Sequence, residues 1–202
     1  MRAFAALTAL VTALPSAPLA AQSAADSVVY RVAPASRLEV LTGKAGVLSF
    51  AGHEHRIRAR RFSGTVVYFP GQPERSRVDI RIVAESLEVL TPPDTAEIRK
   101  VTETMRNEVL RVAQYPEIRL RSSSVSPTRT GVDLLAALTL VGETRSVPVD
   151  LAVQRSADTL RAQGRFSVKQ SEFGIKPNAG GPRGSVKGAD RVDFTIDVIA
   201  AR

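Results

Sequence analysis

Leu138 to Val153, LTLVGETRSVPVDLAV, holds two apolar-alternating runs joined by a short Gly-containing polar segment. Val147, Val149, Leu151 and Val153 fall on one side of an extended strand, while Ser146, Asp150 and Gln154 fall on the other. That is the period-two pattern of a sheet with one buried face, and the stretch predicts a β-hairpin. Pro148 has no N–H to give a ladder, so it marks the expected place of a bulge or strand end.

The same alternation recurs on both sides of this hairpin. Strands are expected at Val28 to Val32, Arg37 to Thr42, Val47 to Phe50, Ile57 to Phe69, Arg77 to Leu90, Glu117 to Val125, Gly131 to Val141, Val147 to Gln154, Leu160 to Gln170 and Arg191 to Ala200. Val78, Ile80 and Ile82 alternate cleanly, as do Val192, Phe194, Ile196 and Val198. The parity shifts near Ala84 to Leu87, as a bulge or bend requires. One segment alone has a helical period. Asp94 is an N-cap with Glu97 three residues on, and Ile98, Val101, Met105 and Val109 form the stripe of a short amphipathic helix ending before Pro116. Such a helix is too short to cover a sheet and is expected across one opening or flank of a barrel. The last long connection, Lys176 to Asp190, is rich in Gly and Pro and is expected to be a loop of the lid or plain hairpin kind.

Met1 to about Ala21 has a charged Arg2, an apolar core from Ala3 to Leu14 and then Pro15 and Pro18. This is the pattern of a secretory signal peptide, with cleavage expected between about residues 20 and 25. The apolar core is shorter than the roughly 20 residues of a membrane-spanning helix. No Cys follows it, so a lipid-anchored lipoprotein is not expected. About 180 residues remain, enough for one domain, read as residues 28–201. The expected location is the periplasm or the exterior. With no Cys at all, burial and sheet pairing must stabilise the domain without disulfides.

The formal charge of +8 comes mostly from Arg. The arginines are scattered through strands rather than interleaved with aromatics, so nucleic acid is not the expected partner. Transient contact with anionic lipid headgroups suits an exported basic protein better. The sequence leaves the oligomeric state open, a homodimer included.

Catalytic patterns are missing: there is no nucleophile-elbow glycine pattern, no phosphate-cradling loop and no dinucleotide fingerprint, and no catalytic residue is assigned. Asp79, Glu85 and Glu88 share one strand and read as solvated-face residues. The two histidines, His53 and His55, share a face if the chain is extended there. They supply at most two ligands, where a structural zinc site wants four and a catalytic one three, so no metal is assigned. A metal- or haem-linked redox accessory using this pair is one alternative. A filled barrel acting as an envelope interaction module is another.

Taken in order, five segments resemble the YceI-like family of bacterial exported lipid-binding proteins. Tyr30 to Val40 (YRVAPASRLEV) resembles the opening strand pair, and His53 to Val66 (HEHRIRARRFSGTV) a strand that carries a histidine before a Phe-Ser-Gly turn. Tyr115 to Ser122 (YPEIRLRS), the hairpin Leu138 to Val153 and Phe173-Gly174-Ile175 before a terminal strand complete the series. The chain departs from the common pattern at Gly52 to His55, where many members have one histidine and a longer apolar stretch. The resemblance implies an all-β, lipocalin-like, extended antiparallel eight-stranded barrel holding a polyisoprenoid, quinone or related amphiphile for sequestration or transport, with no enzymatic reaction and no other cofactor.

An eight-stranded barrel has an interior wide enough for side chains or one slender ligand. Candidate lining residues are Phe50, Phe62, Ile80, Ile82 and Leu120, then Leu138, Leu140, Phe166 and Phe173, with Met105 near the helix. Parity separates a strand's two faces without saying which is inward, so plain packing is the equal alternative for each. His53 and His55 are the candidates for the headgroup end.

Overall fold

A computed structural model of the chain describes residues 27–45, 54–91, 95–177, 179–180 and 186–202. In chain order its strands are β1 (Val28–Val32), β2 (Arg37–Ala45), β3 (His55–Ala59), β4 (Phe62–Tyr68), β5 (Arg77–Val83) and β6 (Leu87–Val89). The helix α1 (Thr95–Thr104) follows, then β7 (Glu117–Pro127), β8 (Gly131–Leu140), β9 (Glu143–Arg155), β10 (Thr159–Lys169), β11 (Ala179–Gly180) and β12 (Val186–Ala201). Every pairing is antiparallel, and the circuit β1-β4-β5-β7-β8-β9-β10-β12 closes because β12 also pairs with β1. The result is a closed eight-stranded antiparallel barrel with one short helix.

Three of the eight staves are bent, and the bends lie side by side. β1 runs into β2, β3 into β4 and β5 into β6, so that above the bends a second pairing path, β12-β2-β3-β6, continues the wall. Two buried serines, the buried polar residues among those described, hold these bends. Ser86 Oγ accepts from the Arg61 N–H at 2.9 Å and donates to the Val83 carbonyl at 2.7 Å. Ser36 Oγ accepts from the Ile199 N–H at 2.9 Å and donates to the Ile199 carbonyl at 3.0 Å, standing in for a ladder partner where β1 gives way to β2. The single strands expected at Ile57 to Phe69 and at Arg77 to Leu90 are therefore each broken, at Arg60–Arg61 and at a 3-10 turn over Ala84–Ser86. The parity shift near Ala84 is this turn.

The hairpin of β8 and β9 turns on Val141 and Gly142 alone, with Leu140 opposite Glu143. Both turn residues have positive φ, 52° and 81°, as a two-residue turn matched to strand twist requires. A Cβ on Gly142 would also come within 2.6 Å of the Tyr115 ring. Glu143 to Ser146 thus belong to the strand and not to the connection. Pro148 lies opposite Leu135 in an unbroken register, so no bulge or strand end occurs there. Instead the ladder between β9 and β10 stops at Asp150, and Pro148 sits where β9 has no β10 partner to receive an N–H. The bulges fall elsewhere, between Ser122 and Ser124 in β7 and between Gly188 and Val192 in β12.

α1 is followed by a π-helical turn over Met105–Val109, with the Leu110 N–H on the Met105 carbonyl at 2.8 Å. Ile98, Val101 and Val109 pack against the main core, and Met105 and Leu110 are buried in it. Arg106 Nη2 donates to the Leu87 carbonyl at 3.3 Å, tying the turn to β6. Asp94, the expected N-cap, lies outside the described residues. At the other end, Val186 to Asp190 are strand, paired in part with β11 and β2, so the long loop expected up to Asp190 is shorter by five residues.

Candidate ligand-binding cavity

Strand parity places one alternating set inside the barrel: Leu134, Ala136, Leu138 and Leu140 on β8, and Val147, Val149, Leu151 and Val153 on β9. On β10 and β12 the inward residues include Leu160, Ala162, Phe166, Phe194, Ile196 and Val198. Their sizes divide the interior into two halves. Toward α1, large side chains fill the space, and the directly paired Phe166 and Phe194 stack with ring centroids 4.7 Å apart and planes 4° from parallel. Toward the other end the inward residues are Val, Leu and Ile with one Ala and no Phe, and a cavity of about 390 Å³ remains. That volume lies near the lower end of the roughly 300–1,000 Å³ of small-molecule pockets.

The cavity wall is aliphatic. It is formed by Val66, Val78 and Ile80 on one side and Val149, Leu151 and Val153 on the other, closed by residues of β7, β8, β10 and β12. Polar groups gather where it opens: Tyr68 and Ser76 flank the β4–β5 connection, Thr128, Arg129 and Thr130 form the β7–β8 turn, and Arg155 ends β9. The turn is fixed by the Thr128 N–H on the Gly131 carbonyl at 2.9 Å and the Val153 N–H on the Thr130 carbonyl at 3.2 Å. Gly131 is required there, because a Cβ would lie 1.8 Å from the Leu151 carbonyl oxygen. The Arg155 guanidinium carbon stands 4.9 Å from the centroid of the Tyr68 ring, a cation–π geometry.

The residues singled out from sequence are placed as follows. Ile80 and Leu120 line the cavity. Phe62 and Ile82 are partly buried against the main core, and Met105, Leu138, Leu140, Phe166 and Phe173 are buried within it, outside the cavity wall. Phe50 and His53 lie outside the described residues. His55 begins β3, with Nδ1 2.8 Å from the Thr91 carbonyl oxygen. No lining residue comes from β2, β3, β6 or α1. His55 pairs with Thr42, and Thr42 with Val192, whereas the cavity meets β12 at Ile196 and Val198. His55 and the cavity are thus at opposite ends of the barrel. Among the described residues no group of three or more His, Cys, Asp or Glu is placed to hold a metal.

The alternating set of Val149, Leu151 and Val153 was read from sequence with its facing left open, while Ala162 and the polar rim were not singled out. A signal for Ala162 exists, because in a barrel of constant strand number space opens where an inward position is small.

Outside the barrel, arginines and carboxylates alternate across strands. Asp79 receives a two-pronged contact from Arg119, Nε at 3.0 Å and Nη2 at 2.5 Å. That hydrogen bonding holds the Asp79 carboxyl below the ordinary carboxylate value against the opposing effect of burial, and the charges of Arg119, Arg81 and Arg121 lower it further. Arg161 grips Asp197 in the same way at 2.8 and 2.7 Å and lowers its pKa likewise.

A family model described as YceI-like domain matches residues 30–200. No curated protein matches the chain in sequence. Among solved structures, BcnA of Burkholderia cenocepacia is similar with a TM-score of 0.64 at 18% identity, over 82% of this chain and 96% of that one. A polyisoprenoid binding domain from Saccharophagus degradans, implicated in plant cell wall breakdown, is similar with a TM-score of 0.61 at 17% identity, over 86% and 97%. The YCEI protein of Campylobacter jejuni follows with a TM-score of 0.57 at 14% identity, over 72% and 84%. At these identities the likeness is one of fold.

Proposed function

The chain belongs to the YceI-like domain family, and from that membership we propose that it is an exported binding protein that carries the apolar tail of an isoprenoid-type lipid, without catalysis. The observation that carries this reading is the aliphatic cavity of about 390 Å³ open at one end of the barrel. Transfer of a hydrocarbon tail from water into such a site is favourable by about 0.8 kcal/mol per buried CH2. The polar rim leaves a headgroup at the mouth in contact with water. The signal-like pattern of residues 1–21 supports delivery to the periplasm, where an amphiphile needs a shield to cross an aqueous gap. The cavity's size matches a short tail or one segment of a long one, because large side chains fill the half toward α1.

The test is organic extraction of the purified protein followed by mass spectrometry. An isoprenoid-type lipid in stoichiometric amount is expected. A protein that yields none, even after refolding in the presence of isoprenoid alcohols and quinones, overturns the reading in favour of a filled barrel acting as an interaction module.

A further inference from the structure

Arginines are numerous on this barrel, and most of those on the outer wall near strand centres are matched to carboxylates: Arg58 with Glu39, Arg119 with Asp79, Arg161 with Asp197. Others, among them Arg31, Arg56 and Arg165, have no such partner, and what sets two of the unmatched arginines apart is their place at the cavity mouth. Among the described residues neither Arg129 nor Arg155 forms an ion pair, and no carboxylate lines the cavity. Both are exposed at the rim, and Arg155 is steadied by the face of Tyr68 at 4.9 Å. Thr128, Thr130, Ser76 and Tyr68 add hydroxyls to the same rim.

Two unmatched cations set over an apolar, low-dielectric wall concentrate positive potential at the mouth. A guanidinium presents a planar fork of donors that suits the paired oxygens of a phosphate or carboxylate. Resting on the proposal that the cavity holds a lipid tail, we infer that the mouth selects amphiphiles with an anionic headgroup, a phosphate or carboxylate, held by Arg129 and Arg155. A neutral alcohol or quinone head of the same tail length gains nothing from these charges. The inference assigns the headgroup to this end of the barrel and leaves His55 at the other end without a part in it.

The experiment compares two probes with one tail, farnesyl phosphate and farnesol, by titration calorimetry on the delipidated mature protein at low ionic strength. The phosphate ester is expected to bind at least tenfold tighter, with an advantage that shrinks as salt rises. In Arg129→Gln/Arg155→Gln the two probes are expected to bind alike, whereas Arg145→Gln, at the far end of the β8–β9 hairpin, keeps the preference. Inorganic phosphate at equal concentration is expected not to displace farnesyl phosphate. Displacement by it marks a free-anion site and overturns the inference, as does equal binding of both probes to the unmodified protein or a preference that survives in the double variant. If neither probe binds, the tail-binding reading falls as well, which separates the two failures.

Discussion

Ser86 Oγ accepts a hydrogen bond from the backbone N–H of Arg61 at 2.9 Å, across two strands that both bend at that point. The same oxygen donates to the Val83 carbonyl, so one small hydroxyl meets the needs of two interrupted ladders. Truncating Ser86 to Ala leaves the Arg61 N–H without its partner in a buried place, which costs about 1–3 kcal/mol. Urea denaturation of the Ser86→Ala protein is expected to show that loss as a lower midpoint with an unchanged slope. A difference below a few tenths of a kcal/mol shows that the bend is held by packing alone.

Ala162 and Ala136 are both buried and inward, but only Ala162 borders the cavity. Ala162→Phe sends a ring into empty space and is expected to reduce farnesol loading at least fivefold while thermal stability holds or rises. Ala136→Phe has no void to enter and is expected to destabilise by about 1–3 kcal/mol or more. Loading followed by mass spectrometry and thermal unfolding measure the two effects separately.

Gly142 combines a φ of 81° with a ring edge 2.6 Å from where a Cβ would lie. Gly142→Ala must strain the turn and push Tyr115 aside, for an expected loss of about 1–3 kcal/mol. Chemical denaturation reads it, and a neutral result places the Tyr115 ring elsewhere in solution.

The lowered pKa of Asp79, due first to its hydrogen bonds from Arg119, fixes the sign of one pH effect. The carboxylate's contribution to stability is complete above the unfolded carboxyl pKa of about 3.9 and is lost as pH falls through the lower folded value. Asp79→Asn is therefore expected to be less stable than the unmodified protein above about pH 5. The two stabilities should converge as the pH falls through the lowered folded pKa of Asp79. A gap between them that is constant with pH contradicts the assignment.

The alternation in Leu138 to Val153 was enough to read the hairpin, and the run Val78, Ile80, Ile82 enough to read β5, because a half-buried strand writes its face directly into period two. The break at Arg60–Arg61 was not legible: nothing in RARRFSG distinguishes a bend from a straight exposed strand, and the residue that stabilises it, Ser86, is distant in sequence. Pro148 was read as an interruption of its own strand, yet what ends there is the neighbour's ladder, a tertiary fact. For the cavity, bulky residues drew attention as lining candidates, and bulk is what fills a barrel. Ile80 and Leu120 were named and the alternating set of Val149, Leu151 and Val153 was read with its facing open, while Ala162 was not singled out, and Arg129 at a turn tip carries no local mark of a binding rim.

The stacked pair Phe166 and Phe194 stands one inward position beyond Ile196 on its strand and two beyond Ala162 on the other, with Gly164 between, where the cavity wall ends. With a tail in place, these rings are a floor, and a barrel open at one end with a floor at the other measures chain length. Tails that reach the floor gain the full burial, and each methylene added up to that depth slows release about fourfold at 0.8 kcal/mol apiece. A longer tail must fold back or leave its excess in water, so residence time should rise with length and then level off at a depth set by two aromatic side chains.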